Sequence, residues 1–150
     1  MSLLNTDLQH KLSNLFGKGL ANPVTLHFFT QGVSVLSVPS LECDTCQEAG
    51  ELLTEVTALS NNLKLETHDF VAEADLAKRL GVERIPAIVL EGKNKGTLRY
   101  YGVPGGYEFS LLVEDLLDVS KGSTQLGAST LKGLAAINSP VHIQVLVTPT

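Results

Sequence analysis

The sequence predicts an α/β fold: a central mixed four-stranded sheet flanked by helices, with an added N-terminal helix and a C-terminal helix–strand extension. Three observations carry this expectation. Segments with helical spacing of apolar residues alternate with short runs of β-branched and aromatic residues. The polar stretch Glu91-Gly92-Lys93-Asn94-Lys95-Gly96 joins two such runs as a hairpin, inside a sheet otherwise built by helical crossovers. A hydrophobic content of 43% over 150 residues supplies material for one real core.

Leu4, Leu8, Leu12 and Leu15 recur on one helical face, with Asn5 or Thr6 as caps and Gly17 as a stop. Pro23 marks the entrance to a strand over Val24 to Phe29. The stretch Thr30 to Glu42 carries Gly32, Pro39 and several serines, but also Val33, Val35, Leu36 and Val38; it reads as a loop or as a short extra strand. A clearer helix follows. Cys46, Ala49, Leu52, Leu53, Val56 and Leu59 form one stripe, with Glu48, Glu51 and Glu55 turned outward. Leu63 and Leu65 alternate with Lys64 and Glu66 in a strand that continues to Phe70. A short helix from Ala72 to Leu80 ends at Gly81, a residue suited to a left-handed cap. Ala87 to Leu90 and Thr97 to Tyr101 are the hairpin strands, and Phe109, Leu112, Val113, Leu116 and Leu117 mark a core-facing helix. The final segment holds a helix, Ser129 to Ile137, and a strand, Val141 to Val147. Ser139-Pro140-Val141 echoes Asn22-Pro23-Val24, each a small polar residue and a proline ahead of an apolar strand.

Composition excludes several functions. Eleven basic against 16 acidic residues give −5 with no run of like charge, so neither nucleic acid nor an anionic membrane is an expected partner. No apolar stretch approaches the roughly 20 residues of a bilayer span. Asp7, His10 and Lys11 interrupt the N-terminus where a signal peptide needs an apolar block. The expected location is cytoplasmic, where a cysteine pair is more often catalytic or metal-binding than structural.

The chemistry sits in Cys43-Asp44-Thr45-Cys46, which uses the only two cysteines of the chain. Two thiols at this spacing, opening an amphipathic helix, place Cys43 at a helix N-terminus where a thiolate is stabilised. Exchange needs one thiolate to attack a disulfide and a second thiol to release the mixed disulfide. Cys43, nearer the helix end, is the candidate nucleophile, and Cys46, on the apolar stripe, the resolving thiol. Glu42 and Asp44 flank Cys43 and oppose the helix end, so a moderately activated thiol is expected. The alternatives are a metal site or two buried cysteines. A closed zinc site needs four ligands, and His10, His27, His68 and His142 do not share ligand spacing. His27 and His68 fall within strands and read as surface or core-edge residues. A site shared by the cysteines of two chains remains a further alternative.

The order helix, then β-α-β-α-β-β-α, is that of a thioredoxin fold, and specific segments extend the likeness. Asn22-Pro23-Val24, Cys43-Asp44-Thr45-Cys46, Ala77-Lys78-Arg79 and Arg84-Ile85-Pro86-Ala87 are four of them. Arg99-Tyr100-Tyr101-Gly102-Val103-Pro104-Gly105-Gly106-Tyr107-Glu108-Phe109 and Glu114-Asp115-Leu116-Leu117-Asp118-Val119-Ser120 are the most specific, and Val145 to Thr150 also fits. On these the chain resembles the N-terminal unit of the tandem, glutaredoxin-like protein disulfide oxidoreductases. The resemblance implies a thioredoxin-like domain over 1–120, with 121–150 as a linker helix and the first strand of a second unit that is absent. It implies that Cys43 and Cys46 are the catalytic pair and that Pro86 is a cis-proline. Ile85 before it would then pair with substrate backbone. The segment around Glu108 also resembles one in the N-terminal domain of the flavoprotein that reduces alkyl hydroperoxide reductase. There the glutamate tunes the thiols of the other unit; the plainer reading is a carboxylate favoured at a helix start. Thr30 to Glu42 is longer than the turn usual at that place in the family.

The expected function is thiol–disulfide oxidoreductase on protein disulfides and dithiols, with a scaffold or binding module supporting a second redox unit as the alternative. No organic cofactor is expected, because the dithiol carries two electrons itself. A thioredoxin-reductase-like electron donor and a homodimer formed through the C-terminal strand are the expected partners.

Overall fold

The computed structural model describes residues 3–32 and 43–147. The expectation of a loop or strand over Thr30 to Glu42 therefore falls largely outside the described residues. Helix α1 (Thr6–Gly19) is capped by the Asn5 side chain, which accepts from the Leu8 N–H at 2.9 Å. Gly17 does not stop it. The helix runs to Gly19, and Leu12 and Phe16 face the core while Leu15 is exposed. Spacing alone allows position 15 or 16 to continue the stripe, and packing selects the larger Phe16. Gly19 permits the close approach of the Leu117 side chain, since a Cβ there would stand 2.6 Å from Leu117 Cδ2.

Strand β1 (Val24–Thr30) is followed by α2 (Cys46–Thr57), β2 (Leu63–Asp69) and α3 (Ala74–Leu80). Residue Gly81 ends α3 at φ 67°, with Val82 N donating to Ala77 O and Gly81 N to Lys78 O, a closure that favours glycine. The hairpin β3 (Ala87–Glu91) and β4 (Leu98–Tyr101) precedes α4 (Tyr107–Lys121) and α5 (Ala128–Ala135). The order of the four-stranded sheet is β2-β1-β3-β4. β1 runs parallel to β2, from Val24↔Leu63 to Thr30↔Asp69, and antiparallel to β3, with Phe29 opposite Ala87. β3 and β4 pair antiparallel as the hairpin requires.

Alternation along β1 splits the core into two layers. Val24, Leu26 and Phe28 join Phe16, Leu53, Val56, Leu112 and Leu116 in one buried cluster. Phe29 joins Ala77, Val82, Ala87 and Val89 in the second. The sheet is thus covered on both faces, with α1, α2 and α4 on one and α3 on the other. Buried Ser120 locks the end of α4 to the chain entering β1: its Oγ accepts from Asn22 N at 2.8 Å and donates to Asn22 O at 2.6 Å. Asn22 Nδ2 donates back to Ser120 O at 2.8 Å.

Beyond Lys121 the described residues are exposed, and α5 buries none of its side chains. Residues 141–147 form no strand, contrary to the pattern of Val141 to Val147. β-branched content sets a preference, but a strand exists only where a neighbouring edge takes its N–H and C=O groups. No described element provides that edge.

Candidate redox site

Cys43 and Cys46 are joined by a disulfide, with their Cα atoms 5.4 Å apart. The helix starts later than the motif suggested. Cys46 is the first residue of α2 and Thr45 its N-cap position, so Cys43 lies in the turn just ahead of the helix. The apolar stripe explains the asymmetry of the pair. Cys46 leads Ala49, Leu52, Leu53 and Val56 onto the sheet and is buried at 7% exposure. Cys43 stays partly exposed, with exposed Asp44 and Thr45 between the two. The free N–H groups at the start of α2 present positive potential on this side of the bridge.

Gln31, which the sequence pattern did not single out, holds Cys43 in place: its Oε1 accepts from the Cys43 N–H at 2.9 Å. The residue follows directly on β1, so this bond ties the reactive turn to the end of the central strand. Pairing of Phe29 with Ala87 sends the chain before β3 past the same end, and that chain is Ile85-Pro86. The Ile85–Pro86 bond is cis. Pro86 is buried and its carbonyl accepts from Gly102 N at 3.0 Å. Ile85 is partly exposed, and among the described residues its backbone N–H and C=O have no hydrogen-bond partner. Register and the Gln31 bond therefore gather Cys43, Cys46, Ile85 and Pro86 at one end of the sheet. Arg84 stacks over the Tyr101 ring at 4.4 Å and adds a cation beside this approach.

Glu108 follows β4, whose last residue Tyr101 pairs with Ala87 at this same end of the sheet. It stands exposed in the first turn of α4, with its N–H donating to Gly105 O at 3.2 Å. Its visible electrostatic effect is on Tyr100, whose hydroxyl donates to Asp115. Burial first, then that bond and the Asp115 charge, push the Tyr100 hydroxyl above its ordinary range, and Glu108 adds to the push.

A second cluster has no signature in the sequence. Of the two readings, surface or core edge, the structure selects the core edge: His27 and His68 are 8% and 9% exposed, and their rings stack at 5.3 Å between centroids. Parallel pairing sets His27 opposite Glu66, which brings His68, two residues further on the same face of β2, within reach. His27 Nδ1 lies 3.1 Å from His68 Nε2. The outer nitrogens meet carboxylates: His27 Nε2 to Glu91 at 2.6 Å and His68 Nδ1 to Glu73 at 2.8 Å. A side-chain bond to Lys64 holds the Glu66 carboxyl below its usual value, and the Lys64 charge adds to that.

No protein-family model matches the sequence, and no curated protein does. Solved structures do. A protein disulfide oxidoreductase from Aeropyrum pernix k1 superposes with a TM-score of 0.71 at 24% identity, over 88% of this chain and 54% of that one. The N-terminal domain of the alkylhydroperoxide reductase AhpF from Enterococcus faecalis (V583) gives 0.69 at 25% identity, over 89% and 60%. A further structure of AhpF from the same organism gives 0.70 at 26% identity, over the same shares. The chain thus spans between 54% and 60% of the length of these three structures. With this sheet order, these neighbours and a bridged Cys-x-x-Cys, the chain is a thioredoxin-like unit similar to protein disulfide oxidoreductase and to the N-terminal domain of alkylhydroperoxide reductase AhpF.

Proposed function

We propose that the chain is a thiol–disulfide oxidoreductase acting on protein disulfides and dithiols through Cys43 and Cys46. The observation that carries the reading is the asymmetric bridge, one sulfur-bearing residue partly exposed ahead of α2 and the other buried as its first residue. In the reduced state the Cys43 thiolate attacks one sulfur of a substrate disulfide and expels the other as a thiolate. Cys46, losing its proton, then attacks Cys43 Sγ, which closes the bridge and releases the second substrate thiol. Two electrons pass to the substrate and two protein thiols become one disulfide. In the opposite direction a substrate thiolate attacks the exposed sulfur, and the steps run backwards.

Ile85 is the residue proposed to receive substrate: its free backbone groups offer an extended peptide a strand-like partner beside the bridge. The dithiol needs no organic cofactor. A thioredoxin-reductase-like flavoprotein is the proposed electron donor, and a cytoplasmic location the proposed setting.

The alternative is a scaffold unit whose own cysteines rarely turn over. The exposed apolar residues Ile143, Val145, Leu146 and Val147 favour it, because a second thioredoxin-like unit would cover them. On that reading 121–150 is the linker helix and leading strand of that unit, with Glu108 tuning its thiols. In isolation the same segment would support pairing between two copies.

Insulin reduction under dithiothreitol separates the readings. Redox chemistry predicts turnover above the reductant alone, loss of it in Cys43→Ser, and a trapped mixed disulfide in Cys46→Ser. Wild-type protein no faster than dithiothreitol, or Cys43→Ser as active as wild type, would sink the catalytic assignment.

A further inference from the structure

We propose that His27, His68 and Glu66 form a binding site for a divalent transition-metal ion of the zinc class, separate from the cysteine pair. The hydrogen bonds around the two imidazoles point there. A carboxylate can only accept, so the nitrogen facing it must carry the hydrogen. Glu91 takes that hydrogen from His27 Nε2 and Glu73 takes it from His68 Nδ1. A neutral imidazole has one N–H, so both inner nitrogens are left with lone pairs, facing each other at 3.1 Å. Two lone pairs at that separation repel unless a cation, a proton or a metal ion, lies between them.

Glu66 supplies the third donor. Its Oε1 is taken by Lys64 at 2.6 Å, which leaves Oε2 turned toward the histidines, 3.5 Å from His27 Nδ1 and 4.0 Å from His68 Nε2. A triangle with sides of 3.1, 3.5 and 4.0 Å has a point about 2.1 Å from every corner, which is the length of a zinc–nitrogen or zinc–carboxylate bond. Two imidazoles and one carboxylate select zinc-like ions over calcium or magnesium, which prefer all-oxygen shells. Glu91 and Glu73 are the partners such ligands need, fixing each ring and raising its basicity. The Glu66 side chain is 34% exposed, so solvent can fill the remaining coordination position. A metal here clips β1 to β2 on the sheet face opposite α2.

The test is calorimetric titration of zinc chloride into chelator-stripped protein, with the Cys43–Cys46 bridge closed and again in the Cys43→Ser/Cys46→Ser double variant. Both should take up one equivalent, and cobalt(II) should give visible absorption bands of a low-coordinate site. Glu66→Gln, a partly exposed change that leaves the core intact, should weaken binding at least 10-fold. Glu91→Gln should weaken it by about 10–100-fold, and His68→Gln should abolish it. Absence of saturable binding to folded protein overturns the proposal and leaves a proton shared between the imidazoles. Affinity unchanged in Glu66→Gln and Glu91→Gln overturns it as well.

Discussion

Reducing the Cys43–Cys46 bridge should lower the stability of the unit by about 1–2 kcal/mol, set by loop closure less thiolate stabilisation. The bridge closes a loop of four residues, with a sequence separation of 3. Chain-entropy arithmetic for so short a loop gives about 2 kcal/mol of constraint on the unfolded state. Against this, a Cys43 thiolate freed ahead of α2 gains roughly 0.3–1 kcal/mol from the helix end. Cys46 adds little to either side, because a buried thiol packs as a small apolar group. Denaturant unfolding of the oxidised protein and of protein held in dithiothreitol measures the difference directly. The reduced form should melt about 2–8 °C lower. By linkage, the folded pair should have a potential roughly 20–40 mV more negative than the same cysteines in the unfolded chain. A reduced form at least as stable as the oxidised one would refute the reasoning. It would mean that thiolate stabilisation outweighs loop closure, the signature of a strongly oxidising centre.

Two further outcomes test other parts of the fold. Tyr100→Phe removes the hydroxyl held by Asp115 and should cost about 1–2 kcal/mol near neutral pH, the range for a half-exposed bond to a charged group. Because folding raises the Tyr100 value, its contribution is complete below the ordinary tyrosine range near 10 and is lost as pH rises beyond it. Unfolding measured from pH 8 to 11 should therefore show a shallower alkaline decline in Tyr100→Phe, and identical slopes would discount the assignment. Ser120→Ala strips Asn22 of both backbone partners and should cost about 1–3 kcal/mol with an unchanged denaturant slope. A midpoint equal to wild type would show that water replaces the hydroxyl without loss.

Periodic elements were legible because their spacing is a local property. The stripe from Cys46 to Val56 and the cap at Gly81 need no knowledge of the rest of the chain. Where two spacings fit equally, packing decided. Leu15 and Phe16 both continue the line from Leu12, and the core took the aromatic ring. The start of α2 moved from Cys43 to Cys46 because a dithiol motif fixes the distance between two cysteines, not which of them begins the helix. His27, Glu66 and His68 were illegible as a group for a different reason. No short spacing links residues 41 apart, and only the parallel register of β1 with β2 joins them. Gln31 was missed because an amide gripping a backbone N–H twelve residues on leaves no pattern in composition. The Val141 to Val147 pattern was readable as strand-forming, yet a pattern cannot furnish the neighbour a strand requires.

The Asn22–Ser120 clasp has a mechanical consequence. It fastens the entrance of the central strand to the last turn of α4 on one side of the molecule, whereas the sulfurs are reached from the other end of that strand. A partner that pulls on or twists the trailing segment loads this buckle first. Force applied through the residues after 121 therefore enters the fold at the end of β1 opposite the redox turn.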